Sequence, residues 1–123
     1  MLASAKMMGF LFTTDYERSR AFYVDQLGFE FISHDQFALA VHCGENMVRI
    51  VKLPNFAPLQ ATVLGWEVSD IESVVAWLKQ RGVTLEKYPF MQGGEIHTFP
   101  GGARVAWFKD PEGNTLSVSQ HGA

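Results

Sequence analysis

The sequence predicts one α+β domain made of two similar halves, each with the element order β-α-β-β-β. The first observation is a repeat: residues 13–23 are echoed about 55 positions later by residues 68–78, with an aspartate, a glutamate and an alanine in register. In both copies the aspartate stands directly before a helical pattern that ends near a glycine. Two prolines within the intervening segment 54–60 suit neither a helix nor an inner strand and predict a connector. A helix on one face of each sheet would leave the other faces free to form a shared concave cleft, where we expect the functional site.

The first half opens with a short apolar and aromatic run, which is typical of a buried strand. Asp15 then provides a helix N-cap, and Glu17 lies in the first turn, where the helix dipole favours a negative charge. The helix is expected to reach about Gln26 and to end near Gly28, because glycine readily adopts the left-handed conformation that follows many helices. The predicted strands of this half are residues 7–13, 29–33, 37–43 and 46–53.

The second half repeats this order. After Asp70, apolar residues recur at i, i+3, i+4 and i+7, which predicts a helix with one apolar face that ends near Gly82. Segment 91–102 contains two Gly-Gly pairs and a proline, so we expect an irregular loop or lid there. The turn at 110–114 has proline and glycine where a hairpin turn requires them. The predicted strands of this half are residues 62–68, 83–88, 104–109 and 115–120.

Length, charge and cysteine content narrow the functional classes. The chain of 123 residues has a formal net charge of -3, which disfavours a nucleic-acid partner because phosphates require a basic surface. No apolar run approaches the roughly 18 to 20 residues of a membrane span, so no membrane partner is expected. Cys43 is the only cysteine, which excludes an intrachain disulfide and fits a reducing compartment. With no visible secretory signal, we expect a cytoplasmic protein.

Two stretches near the ends of the chain form a distinctive pattern. The first comprises Asp15, Arg18-Ser19, Ala21-Phe22-Tyr23 and Leu27-Gly28-Phe29, and the second is the run Val-Ala-Trp-Phe-Lys-Asp-Pro-Glu-Gly-Asn-Thr-Leu at 105–116. Both resemble the vicinal oxygen chelate superfamily, which includes glyoxalases, bleomycin-resistance proteins and extradiol dioxygenases. The resemblance implies a single glyoxalase-like domain over 1–123, with halves 7–53 and 61–120 and the connector 54–60. It does not define the function, because this fold hosts isomerases, oxygenases, transferases and plain drug binders.

The resemblance also implies where a metal ion would be held. Metal-using relatives bind a divalent ion on the concave surface with His, Gln or Glu from both halves. The equivalent first ligands, seven residues before each capping aspartate, are Met8 and Val63; a third falls near Ser117, and the last falls within 48–50. None of these supplies a carboxylate or an imidazole, and a thioether suits soft ions such as Cu(I) rather than hard or borderline ions. We therefore expect no metal site of the family's kind and no cofactor.

The same positions predict a small-molecule pocket. Strand alternation sends residues two apart to the same face, so the neighbours of Met8, Val63 and Ser117 at two-residue steps should also face the cleft. The result is an apolar and aromatic surface with one acid and two hydroxyl groups, which is typical of a ligand site. The expected cleft residues are Met8, Phe10, Phe12, Val63, Gly65, Glu67, Ser117 and Ser119.

Glu67 and His97 are the candidates for acid or base catalysis. An apolar pocket would favour the protonated form of Glu67. Alternatively, Glu67 is a rim residue exposed at a strand end or is paired with an arginine. His97 lies in the glycine-rich segment with Glu95 and could contact a ligand from there, or it is an ordinary surface histidine.

The remaining histidines and tryptophans carry weaker signals. His42 stands beside Cys43, but without a third orienting group we treat the pair as coincidental. His34 and His121 are expected to be solvated in a turn and in the tail. Trp107 is a candidate ligand contact, whereas Trp66 should face its own helix by strand parity.

Two functional hypotheses remain open. The first is a metal-free protein, resembling the bleomycin-resistance branch, that binds an apolar or cationic small molecule between protomers. The second is a lyase or isomerase that uses Glu67 or His97 as acid or base, or a metalloenzyme with displaced ligands. A dimerisation or regulatory module with an unused cleft is a third possibility. In either main case we expect a homodimer, because open sheets with apolar residues need covering and relatives commonly pair.

Overall fold

The computed structural model describes residues 1–122, and the chain divides into two compact units between Ala57 and Pro58. Each unit contains a four-stranded mixed sheet and a helical segment that packs on it. This arrangement confirms the α+β class and the two similar halves. Among the described residues, 1–122, no helix has both the length and the apolar character that a membrane crossing would require.

The sheet of the first unit has the order β1-β4-β3-β2, with β1 parallel to β4 and the other neighbours antiparallel. Asp15 caps α1 as predicted, since its Oδ1 accepts hydrogen bonds from the backbone N–H groups of Glu17 and Arg18. The helix continues as a π-helical stretch, a wider turn that the apolar pattern did not distinguish from α-helix. The elements are a 3₁₀ turn (Leu2–Ser4), β1 (Met8–Thr13), α1 (Tyr16–Arg20), the π-helix (Ala21–Gln26), β2 (Glu30–His34), β3 (Leu39–Cys43) and β4 (Asn46–Lys52).

Burial along β1 shows which face of the first sheet is open. Leu11 and Thr13 are buried on the helix side, where Phe22 and Tyr23 complete the core. Met8 and Phe10 are about half exposed on the other side. The strand parity predicted from the sequence therefore holds, and this sheet presents one helix-free face.

The sheet of the second unit has the order β5-β8-β7-β6, with β5 parallel to β8. Asp70 caps α2 by accepting hydrogen bonds from the Ser73 hydroxyl at 2.7 Å and the Ser73 N–H at 3.3 Å. The buried residues Ile71, Val75 and Leu78 form the predicted apolar face of that helix. The elements are β5 (Thr62–Glu67), α2 (Ile71–Gln80), β6 (His97–Thr98), β7 (Arg104–Lys109) and β8 (Thr115–Gln120).

The prediction of a strand at 83–88 was wrong, because this segment does not form a regular strand. Leu85 is buried, which produced the alternating pattern, but it forms only an isolated bridge with Phe108. The outer edge of β7 is divided between two short segments. The backbone N–H of Glu86 bonds to the carbonyl of Trp107, and β6, within the predicted loop, pairs at the other end of β7. Neither segment pairs with enough residues of β7 to form a long ladder of backbone hydrogen bonds.

Candidate functional site

The first-half residues predicted for the cleft share the open face of the first sheet. Met8 lies opposite Met47, and Phe10 opposite Arg49, in the parallel β1–β4 ladder. Phe12 follows on the same face, partly covered, with its ring centroid 5.7 Å from that of Phe56. Strand parity therefore predicted correctly the face on which these three side chains lie.

The second-half residues lie on the open face of the second sheet in two rows that cross its strands. One row joins Gly65, Ser117 and Trp107, and the next joins Glu67, Ser119, Val105 and His97, from the β5 edge to the β6 edge. Val63 is also exposed, in an irregular stretch of β5 between two register positions.

Glu67 and His97 stand at opposite edges of this sheet. Three strand spacings separate them, or about 14 Å. They therefore cannot act as a directly bonded acid–base pair within the unit. Each remains a separate candidate.

The Glu67 carboxylate contacts the imidazole of His121, with Oε1 bonded to Nδ1. The Glu67 side chain is 68% exposed, so the apolar surroundings expected from the sequence are not present within the unit. Glu67 is therefore an exposed residue at a strand end, the first of the two alternatives, and its partner is a histidine and not an arginine. His121 is exposed in the tail, as expected, and its ring also contacts Glu67 because the tail returns to the end of β5.

Five aromatic rings cluster on the open face of the second unit and form what we term the aromatic patch. Trp107 is at its centre, with its ring centroid between 5.6 and 6.5 Å from those of the other four. Most contacts are edge-to-face, the favourable geometry for aromatic pairs. The patch consists of Tyr88, Phe90, His97, Phe99 and Trp107.

Sequence reasoning found His97 and Trp107 as separate candidates and missed the other three rings. A signal was present, because Tyr88 and Phe90, and then His97 and Phe99, alternate with a period of two on either side of the glycine pair. The predicted strand ends at Tyr88 and the predicted loop begins at residue 91, so this period runs across the boundary between two predicted elements.

A hollow of about 290 Å³ adjoins the patch. Burial, the largest effect, raises the pKa of Tyr88; the Glu86 carboxylate raises it further and a hydrogen bond with Thr115 opposes both. The phenol therefore stays neutral at physiological pH and can donate or accept a hydrogen bond. The residues that line the hollow are Gln60, Ala61, Thr62, Tyr88, Phe90, Trp107 and Thr115.

The positions that the resemblance implies for metal ligands carry weak donors for a divalent ion. Met8 and Val63 present apolar side chains and Ser117 a neutral hydroxyl group, none of which is a strong ligand for hard or borderline ions. Within the part of the chain that the structure describes, 1–122, no three His, Cys, Asp or Glu side chains are grouped closely enough to hold a metal ion.

Comparison with known proteins relates this geometry to a family. Residues 6–118 match the model of the Glyoxalase/Bleomycin resistance protein/Dioxygenase superfamily. No curated protein sequence matches the chain.

Solved structures show the same fold. A superfamily member from Sphaerobacter thermophilus has a TM-score of 0.75 at 22% identity, with 98% of this chain and 100% of that chain covered. A glyoxalase family protein from Enterococcus faecalis has a TM-score of 0.73 at 20% identity, with 97% and 99% covered. Lactoylglutathione lyase from Agrobacterium tumefaciens has a TM-score of 0.70 at 22% identity, with 95% and 93% covered. With its fold shared and 6–118 matched by the family model, the chain belongs to the glyoxalase/bleomycin resistance protein/dioxygenase superfamily.

Proposed function

We propose that the protein binds a small, planar organic molecule on the aromatic patch, without a metal ion of the family's kind. One observation carries this proposal: two rings of the patch, Phe90 and Phe99, are 53% and 38% exposed although they belong to a contiguous aromatic cluster. Exposed aromatic surface gains free energy when another flat apolar group covers it. Contiguous apolar patches on folded proteins commonly mark ligand or partner sites.

The chemistry around the patch narrows the ligand class. The adjoining hollow of about 290 Å³ is at the small end of ligand pockets, so the bound group should be no larger than one or two fused rings. The hydroxyl groups of Tyr88 and Thr115 can orient it by hydrogen bonding. Ring faces attract cations, so a neutral or cationic molecule fits better than an anion.

We also propose a cytoplasmic homodimer. Phe10 and Val63 leave apolar side chains exposed on the open sheet faces, and contact with a second copy would remove them from water. Light scattering at micromolar concentration should give twice the mass of one chain. A monomer there would refute the dimer.

A second candidate function is a lyase or isomerase with Glu67 in the acid–base machinery. The contact between Glu67 Oε1 and His121 Nδ1 favours it, because a carboxylate bonded to one ring nitrogen orients the other as a proton acceptor. His97 is the alternative acid or base, from within the aromatic patch.

The binding proposal can be tested with Trp107 as the only tryptophan. In a Trp66→Phe/Trp77→Phe background, quenching of Trp107 fluorescence by 1-methylquinolinium, a planar cation of two fused rings, reports occupancy of the patch. Phe90→Ala should weaken binding about fivefold, because one aromatic contact contributes about 1 kcal/mol. The matched control is Phe37→Ala, which removes a 67% exposed ring from the first unit and should leave the affinity unchanged.

Three results separate the candidates. Equal loss in Phe90→Ala and Phe37→Ala, or no loss in either, would contradict binding on the patch. A Glu67→Gln variant should bind with unchanged affinity if the protein only binds its ligand. Loss of turnover of an identified substrate in that variant, with affinity retained, would instead support the enzyme.

A further inference from the structure

Two thioethers and an imidazole form a row across the open face of the first sheet. Met8 on β1 lies opposite Met47 on β4, and Met47 lies opposite His42 on β3. Directly opposite residues on neighbouring strands send their side chains to the same face, about 5 Å apart. The two sulfur atoms and the ring therefore rise from adjacent positions, and we call these three residues the Met-Met-His row.

The row lines an accessible groove of about 520 Å³. Met8 is 51% exposed, so an ion reaching this face meets the first sulfur atom without displacing core residues. Chelation would require only rotamer changes of two flexible side chains. The other residues that line the groove are Lys6, Met7, Gly44 and Glu45.

The surroundings of His42 suit a metal ligand. Its Nδ1 atom lies 3.5 Å from Oε1 of Glu30, which leaves Nε2 as the ring nitrogen available to an ion. Histidines that bind metals commonly have a carboxylate on the other ring nitrogen, which orients the ring and increases its basicity. Glu30 lies beside His42 and Glu45 lines the groove, so two carboxylates near the row can offset the positive charge of a bound ion.

We propose that the Met-Met-His row binds a soft monovalent metal ion, Cu(I), through two thioether sulfurs and one imidazole nitrogen. Thioethers are neutral, polarizable ligands that select Cu(I), while hard ions prefer oxygen. The ion stays monovalent on binding and no redox step is involved. The proposal does not depend on the aromatic patch, because all three ligands belong to the first unit.

The first test uses Ag(I), a redox-inert ion with the same ligand preference, and protein labelled with ¹³C at the methionine methyl groups. A Cys43→Ser background removes the thiol as a competing ligand. The Met8 and Met47 methyl resonances should shift together and saturate at one equivalent of Ag(I). Met91, buried in the second unit, is the internal control and should not move.

The second test is competition for Cu(I) against the chelator bicinchoninate. Met8→Leu and Met47→Leu keep the side-chain volume but remove one sulfur atom each, so either should abolish one-equivalent binding. Met91→Leu should retain it. Glu30→Gln should weaken binding roughly tenfold, as is usual for the group that orients a metal-binding histidine.

Several outcomes would overturn the proposal. These are retained Cu(I) binding in Met8→Leu and Met47→Leu, shifts of Met7 and Met8 without Met47, equal shifts of all methionines, or binding that requires Cys43. The methyl spectra are recorded with all methionines in place. The proposal therefore stays testable even if a leucine variant fails to fold.

Discussion

The hydroxyl group of Thr13 joins the end of β1 to α1, and we expect Thr13→Val to reveal how strongly this junction stabilises the first unit. Thr13 Oγ1 donates to the Asp15 carbonyl at 3.0 Å and accepts from the Asp15 N–H at 3.0 Å and the Ser19 hydroxyl at 2.9 Å. Both Thr13 and Ser19 are buried. The single donor and both acceptor positions of the Thr13 hydroxyl are therefore used.

The magnitude follows from which groups each substitution leaves unpaired. Valine has nearly the same shape as threonine, so Thr13→Val creates no cavity, but it leaves the Ser19 hydroxyl buried without its acceptor. Adding about 1 kcal/mol for lost hydrogen bonds to about 2 kcal/mol for that unpaired group gives a loss of about 3 kcal/mol. Ser19→Ala should cost only about 1 kcal/mol, because the Thr13 hydroxyl keeps its bonds with Asp15.

The double variant is the decisive measurement. With both hydroxyl groups removed, the buried Ser19 hydroxyl no longer stands without an acceptor, so the double variant should be about 2 kcal/mol more stable than Thr13→Val alone. The repeat supports this expectation, because the equivalent positions around Asp70 are Val68 and Val74. Urea unfolding of the four proteins gives the free energies of unfolding. A double variant less stable than Thr13→Val, or a Thr13→Val cost below about 1 kcal/mol, would refute the reasoning.

Three further predictions concern caps and turns. Asp110→Ala should lower the free energy of unfolding by about 3 kcal/mol in urea, because its buried carboxylate accepts three hydrogen bonds in the hairpin turn, two of them from Asn114; a loss below about 1 kcal/mol would contradict this. The hydroxyl and then the N–H group of Ser73 hold the pKa of Asp70 below its usual value, so Asp70 stabilises the fold above its unfolded-state pKa and this effect is lost as the pH falls through the folded-state pKa. The urea concentration at the unfolding midpoint should therefore decrease as the pH is lowered from about 5 to about 3. Asp70→Asn should weaken this pH dependence, and a pH profile unchanged by the substitution would argue against the cap. Gly82→Ala should lower the melting temperature measured by circular dichroism, because φ is 83° there and a β-carbon opposes that conformation; an unchanged melting temperature would be the contrary result.

The local signals in the sequence proved reliable because each depends on only a few neighbouring residues. Asp15 and Asp70 cap the two helices as predicted, and Gly28 and Gly82 take positive φ values after them. The segment at 83–88 shows the limit. Its apolar alternation correctly indicated burial, but a strand also needs a continuous partner, and no local pattern reveals which edge is available.

The sequence by itself determined the α+β class, the two similar halves and the helix caps, since these follow from local propensities and from a repeat visible along the chain. The superfamily followed from the resemblance of the two motifs at 15–29 and 105–116. Only the tertiary structure decided which distant side chains became neighbours. The contact between Glu67 and His121 depends on the pairing of β5 with β8. The aromatic patch and the Met-Met-His row likewise depend on strand order and register. These arise from long-range packing, and a shift of one residue in register would send every side chain of a strand to the opposite face.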